Sequence, residues 1–185
     1  MLHKFLLATG LAICLISCGG QQGETGEEST EEGTNELPRS LQVATTTVDL
    51  SDHYVNGTLI VPDETQGELS ISVNDFGETH VQVGEVYHVV FAELLEGDIN
   101  SRKQALGDDL MYKNEFVEEG EDFILYKSVI ADSHLDPEFH FYAVKTIGNT
   151  TFEIHDYNEQ GGYAESIARR MLESVKNIKP NNSPS

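Results

Sequence analysis

The chain has 185 residues, with 32 Asp and Glu against 11 Lys and Arg and a formal net charge of −21. The few bases are scattered, so no basic patch exists to neutralise phosphates, and nucleic acid is excluded as a partner. The two cysteines, Cys14 and Cys18, both lie near the N-terminus, which leaves the body of the chain without a disulfide framework or a cysteine metal cluster.

Residues 1–17, MLHKFLLATGLAICLIS, have the parts of a secretory signal peptide: His3 and Lys4, then a mostly apolar run from Phe5 to Ile16. That run is about a dozen residues, short of the ~20 that a bilayer-spanning helix needs. Leu15-Ile16-Ser17-Cys18 resembles the lipobox of bacterial lipoproteins, although Ile16 is an acceptable rather than a favoured residue there. The resemblance implies diacylation of the Cys18 thiol, cleavage before it, and acylation of the new amino group. Each buried CH₂ of an acyl chain contributes about 0.8 kcal/mol and a single chain binds marginally, so several chains on one cysteine make a stable anchor. The partner it implies is the membrane itself, through lipidated Cys18, and the location is the bacterial cell envelope, at the outer membrane. The alternatives are an ordinary cleaved signal or an uncleaved apolar anchor, with Cys18 incidental.

Residues 18–40 read as an acidic disordered tether. Glu24, Glu27, Glu28, Glu31, Glu32 and Glu36 repel one another, and from Gly19 to Glu36 there is no aromatic or aliphatic residue. The plain reading is a solvated spacer. Acids close behind a lipidated cysteine also resemble the surface-export signal of some Gram-negative lineages, which implies exposure at the cell surface. Residues 180–185, PNNSPS, read as a second loose end.

Between them, residues 41–179 form one domain. Strands are predicted at Leu41–Val48, Thr58–Val61, Leu69–Val73, His80–Val83 and Val86–Phe91. Asp63-Glu64-Thr65-Gln66-Gly67-Glu68 has the acids of a calcium loop but not the alternating ligand spacing, and reads as a polar turn. The shared face of Ile99, Leu106, Leu110 and Val117 predicts a helix over roughly Asn100–Phe116, although Gly107 costs it about 1 kcal/mol. Phe123–Tyr126 is a further strand. Phe139–Val144 and Phe152–Tyr157 flank Gly148-Asn149, a pair suited to a tight hairpin turn. That turn sets Val144 opposite Glu153, Tyr142 opposite His155 and His140 opposite Tyr157. Phe139, Phe141, Ala143, Phe152 and Ile154 then form the core face. Last, Ala164, Ile167, Ala168, Met171, Leu172, Val175 and Ile178 fall on one helical stripe, with Gly161-Gly162 before it and Pro180 after. The fold class is α+β: an antiparallel β-sheet with an internal helix and a C-terminal amphipathic helix packed on it.

This order, closing with ARRMLESVKNI after a strand–turn–strand, resembles the PsbP-like superfamily over roughly residues 45–178. The resemblance implies a fold and carries no functional residue with it.

The candidate site is the polar face of the hairpin: His140, Tyr142, Glu153, His155 and Tyr157, joined by His88 from another strand. His140 and His155 lie diagonally across the strand pair, about 7–8 Å apart at Cβ. Two imidazoles and a carboxylate can bind a metal or move protons, and the same residue types also cover half-exposed sheets without further purpose. No nucleophile elbow, phosphate-cradling loop or His-Glu-x-x-His pair is present. The sequence therefore predicts a non-enzymatic accessory or protein-binding domain of a lipid-anchored envelope protein, with an envelope protein as a possible partner and no cofactor. The alternatives are a small-ligand- or metal-binding lipoprotein and, further off, an enzyme working through His140, Glu153 and His155.

Overall fold

A computed structural model describes residues 43–157 and 161–181. The signal sequence, Cys18, the stretch 18–40 and residues 182–185 lie outside the described residues. The fold is α+β, with every strand pair antiparallel.

The elements in chain order are β1 (Thr45–Asp49), β2 (Gly57–Pro62), β3 (Leu69–Val73), β4 (Thr79–Val83), β5 (Tyr87–Glu93), α1 (Ile99–Gly107), β6 (Tyr112–Glu119), β7 (Phe123–Ile130), β8 (Glu138–Ile147), β9 (Thr150–Asp156), α2 (Glu165–Lys176) and β10 (Lys179–Pro180). A small sheet runs β1-β2-β10, and a seven-stranded sheet runs β3-β4-β5-β9-β8-β7-β6.

The larger sheet buries both faces, unequally. On one face Val89, Phe91, Leu125, Phe141, Ala143, Phe152 and Ile154 meet the stripe of α2, and Leu59 and Val61 of the small sheet join the same core. Ala168, Met171, Leu172 and Val175 of α2 are wholly buried, as the 3.6-residue period requires. Met171, Leu172 and Val175 each contribute about 1.5–3 kcal/mol of transfer free energy. Glu118 of β6 receives Arg169 and Lys176 of α2, the second at 3.4 Å, which fixes the helix across the sheet.

On the other face Ile124, Tyr126 and Tyr142 pack against Ile99 and Leu106 of α1. This second core is small because α1 is short. The sequence pattern extends the helix to Phe116, but it ends at Gly107, and Tyr112–Glu119 is a strand. Asp109 explains the break: its Oδ1 accepts the backbone N–H groups of Met111 at 2.7 Å and Tyr112 at 3.0 Å, offering the chain a turn in place of another helical rung. Leu110, which the extended helix would have buried, is 98% exposed.

The hairpin forms as the turn dictates, with Tyr142 opposite His155 and Val144 opposite Glu153; the ladder ends at Tyr142 and His155, so the expected pair of His140 with Tyr157 is not formed, and Tyr157 N bonds His88 O instead. Pro180 is not loose: Lys179–Pro180 pairs with Thr58 and Gly57 of β2, and Asn181 donates its N–H to Asn56 O at 3.0 Å.

Candidate functional site

Alternation along the strands sends one residue in two to the α1 side of the larger sheet. The ladders align His80 of β4, Val90 of β5, His155 of β9 and Tyr142 of β8 in a single row. In the next row Gln82 stands opposite His88, and Tyr157 N–H bonds His88 O at 3.1 Å. The polar face foreseen on the hairpin therefore exists, and it spreads over four strands. Its members do not converge on one point. They fall into three groups.

The first group lies beneath α1, in a cavity of about 350 Å³ lined by residues including Arg102, Asp109, Asn114, Tyr126, Ser128, Glu138 and His140. His140 is buried, with Nδ1 2.7 Å from Oδ2 of buried Asp156 and Nε2 3.9 Å from Glu138. Tyr126 stacks on its ring at 5.3 Å between centroids. Gly162 closes over Nε2, and a Cβ there would lie 2.8 Å from that atom, so only glycine permits this approach. Ser128 Oγ donates to Asn114 Oδ1 at 2.6 Å, and Asn114 Nδ2 donates to Leu106 O at 2.9 Å, tying β7, β6 and α1 together around the cavity.

Arg102 reaches into the same space from α1. Its Nη2 donates to Tyr126 Oη at 3.5 Å, and its guanidinium carbon lies 5.3 Å from the Tyr142 ring centroid. Its Nε is buried without a hydrogen-bond partner, and no carboxylate among the described residues pairs with it. A buried donor left unpaired costs about 1–3 kcal/mol, so this position asks for an acceptor.

The second group is Tyr142 and Glu153, joined by Tyr142 Oη donating to Glu153 Oε2 at 2.7 Å. Burial, then the hydrogen bond and charge of Glu153, hold the phenol well above the usual tyrosine range.

The third group is His80, His88 and Tyr157, with His155 nearby. His80 Nδ1 and His88 Nε2 share a hydrogen bond at 3.0 Å, and His88 stacks on Tyr157 at 4.5 Å. Burial first, then the proximity of His80 and His155, pushes His88 down from its ordinary 6.5 to about 4. His155 turns its Nδ1 to Asp156 O at 2.8 Å. Among the described residues no group of three His, Cys, Asp or Glu side chains converges as a metal site. At the acidic stretch near residue 63, Asp63 Oδ1 accepts Thr65 N at 3.0 Å, as in an ordinary polar turn.

Of the six residues singled out by sequence, His140 lies in the cavity, Tyr142 and Glu153 bond each other, and His88, His155 and Tyr157 belong to the aromatic–imidazole group. Sequence reasoning missed Arg102, Asn114, Ser128, His80 and Asp156. Strict alternation puts Asp156 on the same side as Phe152 and Ile154, which hides its bond to His140. His80 was legible, being in step with Gln82 on a strand whose other face is Val81 and Val83. No described helix is long and apolar enough to cross a membrane. Comparison with protein-family models, with curated proteins and with solved structures finds no match for the chain.

Proposed function

We propose that the chain is a lipid-anchored cell-envelope protein whose folded domain binds a small polar molecule in the cavity beside α1. The observation that carries the binding reading is Arg102: its buried Nε has no partner, and the cavity it enters is lined by donors and acceptors of both signs. A ligand rich in hydroxyl or carboxyl oxygens would supply the missing acceptor and bridge toward Asn114, Ser128 and Glu138. The lipobox resemblance at residues 15–18 supports the anchor. The test is a thermal-shift screen of the purified protein against small hydroxylated and carboxylated molecules. A hit that stabilises the wild type and not Arg102→Met supports the reading, and no hit from either class removes it.

A second reading, a protein-binding accessory domain, is favoured by β6. This edge strand has an unpaired side among the described strands, and Met111, Phe116 and Val117 are exposed on and beside it. Such an edge accepts an added strand from a partner. Crosslinking in the native envelope followed by mass spectrometry tests it: adducts at residues 111–117 support it, and adducts elsewhere only remove it.

A further inference from the structure

The cavity beside α1 has two chemically opposite ends, and one buried tyrosine joins them. At the first end Arg102 is the only lysine or arginine among the described lining residues. Its Nε is buried without a hydrogen-bond partner, and its Nη2 reaches Tyr126 Oη only at 3.5 Å, the outer limit of a hydrogen bond. No carboxylate balances it among the described residues. A guanidinium in this state is matched by a carboxylate, whose two oxygens meet two N–H groups at once.

At the second end the groups are acceptors. The side chain of His140 is only 8% exposed and that of Asp156 only 2%. Asp156 Oδ1 accepts Phe141 N at 2.8 Å and its Oδ2 lies 2.7 Å from His140 Nδ1, so Nδ1 carries a proton and the neutral ring keeps its lone pair on Nε2. Glu138 Oε2 lies 3.9 Å from Nε2, too far to bond it directly and close enough for one donor to serve both. Two glycines keep this pair of acceptors uncovered: a Cβ on Gly161 would lie 3.1 Å from Glu138 Oε1, and one on Gly162 2.8 Å from Nε2. Asp109, the other carboxylate of the lining, spends its Oδ1 on the backbone N–H groups of Met111 and Tyr112. Tyr126, itself buried, stacks on His140 and offers its hydroxyl to Arg102, so the two ends stand one tyrosine apart.

We propose that the ligand is a free amino acid, with its carboxylate on Arg102 and its ammonium between His140 Nε2 and Glu138 Oε2; this deepens the small-molecule reading and rests on it. A cavity of about 350 Å³ suits a molecule of that size. Charge decides against a simple acid. A monocarboxylate would bring a net negative charge toward Glu138 and a chain of net charge −21, whereas a zwitterion is neutral as a whole and presents the opposite sign at each end. A simple amine would leave Arg102 without its acceptor, and a neutral polyol would meet two charged groups with no charge of its own.

The test is isothermal titration of the purified full protein with alanine, serine and leucine, alongside lactate, ethanolamine and glycerol. The expected result is saturable one-site binding of at least one amino acid, with the other three probes tenfold or more weaker. Arg102→Met should abolish it. Glu138→Gln should weaken the amino acid tenfold or more and leave the unfolding midpoint unchanged, since that side chain is 44% exposed. It also carries the test alone should Arg102→Met fail to fold. Lactate or glycerol binding as tightly as the amino acids, and lost in Arg102→Met, keeps the small-molecule cavity and overturns the amino acid. Amino-acid binding that either substitution leaves intact overturns the placement. No binding by any of the six probes overturns the inference, and the wider screen of hydroxylated and carboxylated molecules then decides separately on the reading beneath it.

Discussion

Nδ1 of His140 lies 2.7 Å from Oδ2 of Asp156, and the second oxygen of that buried carboxylate accepts the backbone N–H of Phe141 at 2.8 Å. The recorded pairing of β8 with β9 stops at Tyr142 and His155. One step further along β9, Asp156 serves Phe141 with its side chain where a strand partner would have used a carbonyl. The carboxylate thus finishes the ladder and orients the imidazole at the cavity floor.

Asp156→Ala should therefore destabilise the domain by about 3–5 kcal/mol, because it strands a buried N–H and a buried imidazole together. Asp156→Asn keeps an acceptor for Phe141 and should cost less. Urea unfolding midpoints of the two variants measure the difference, and equal losses would show that the acceptor kept for Phe141 contributes nothing without the charge.

Gly162→Ala places a Cβ 2.4 Å from that of Glu138 and 2.8 Å from His140 Nε2. Overpacking of this kind costs about 1–3 kcal/mol. Gly107→Ala meets nothing within 4 Å and carries no strained φ, so it should gain up to about 1 kcal/mol from helix propensity alone. Opposite signs in thermal unfolding are the expected outcome.

His88 gives the domain an acid sensitivity whose sign follows from its lowered pKa. Below an ordinary value of 6.5 the unfolded chain takes up a proton there, while the folded chain resists until about pH 4. Stability is full above pH 6.5 and falls through that window as pH drops. The ring is only half-buried, so the loss is about 1–2 kcal/mol after solvent screening rather than the full value of the shift. The groups facing it are His80, His155 and Tyr157, with Glu78 behind His80. His88→Gln should flatten the pH dependence of the urea midpoint between pH 6.5 and 4.

Leu172→Ala, at a fully buried position of α2, should cost about 2–5 kcal/mol. Leu110→Ala should change stability by less than about 0.5 kcal/mol, since that side chain stands in solvent. A large effect at Leu110 would restore the longer helix that the apolar spacing suggests.

Acylation is checked by mass. The protein recovered from native membranes should begin at Cys18 with acyl chains attached, and Cys18→Ala should partition into the aqueous phase. An unmodified thiol in the membrane-bound protein would remove the anchor.

Elements governed by a single period were legible from the residues alone. The stripe of α2 and the hairpin around Gly148-Asn149 needed only 3.6-residue and 2-residue spacing, and both reappear in register. The end of α1 was not legible, because Leu106 and Leu110 keep the helical period while Asp109 offers the backbone a competing turn. Part of the site was equally hidden. Arg102 reads as a solvated helix charge until β7 and β8 are laid beneath it. Asp156 reads as a strand-end acid until the ladder is seen to stop beside it.

The small sheet joins distant stretches of the chain. Thr58 of β2 meets Asn181 across 123 residues, and Asn181 also bonds Asp49 and Ser51. β2 is its middle strand, with β10 as one neighbour. During synthesis from the N-terminus β1 and β2 emerge long before β10, so that sheet gains its third strand only once Lys179 and Pro180 have followed. A product truncated before Lys179 therefore lacks both the strand that covers this edge of β2 and the side-chain bonds of Asn181 that fasten it to Thr58, Asp49 and Ser51.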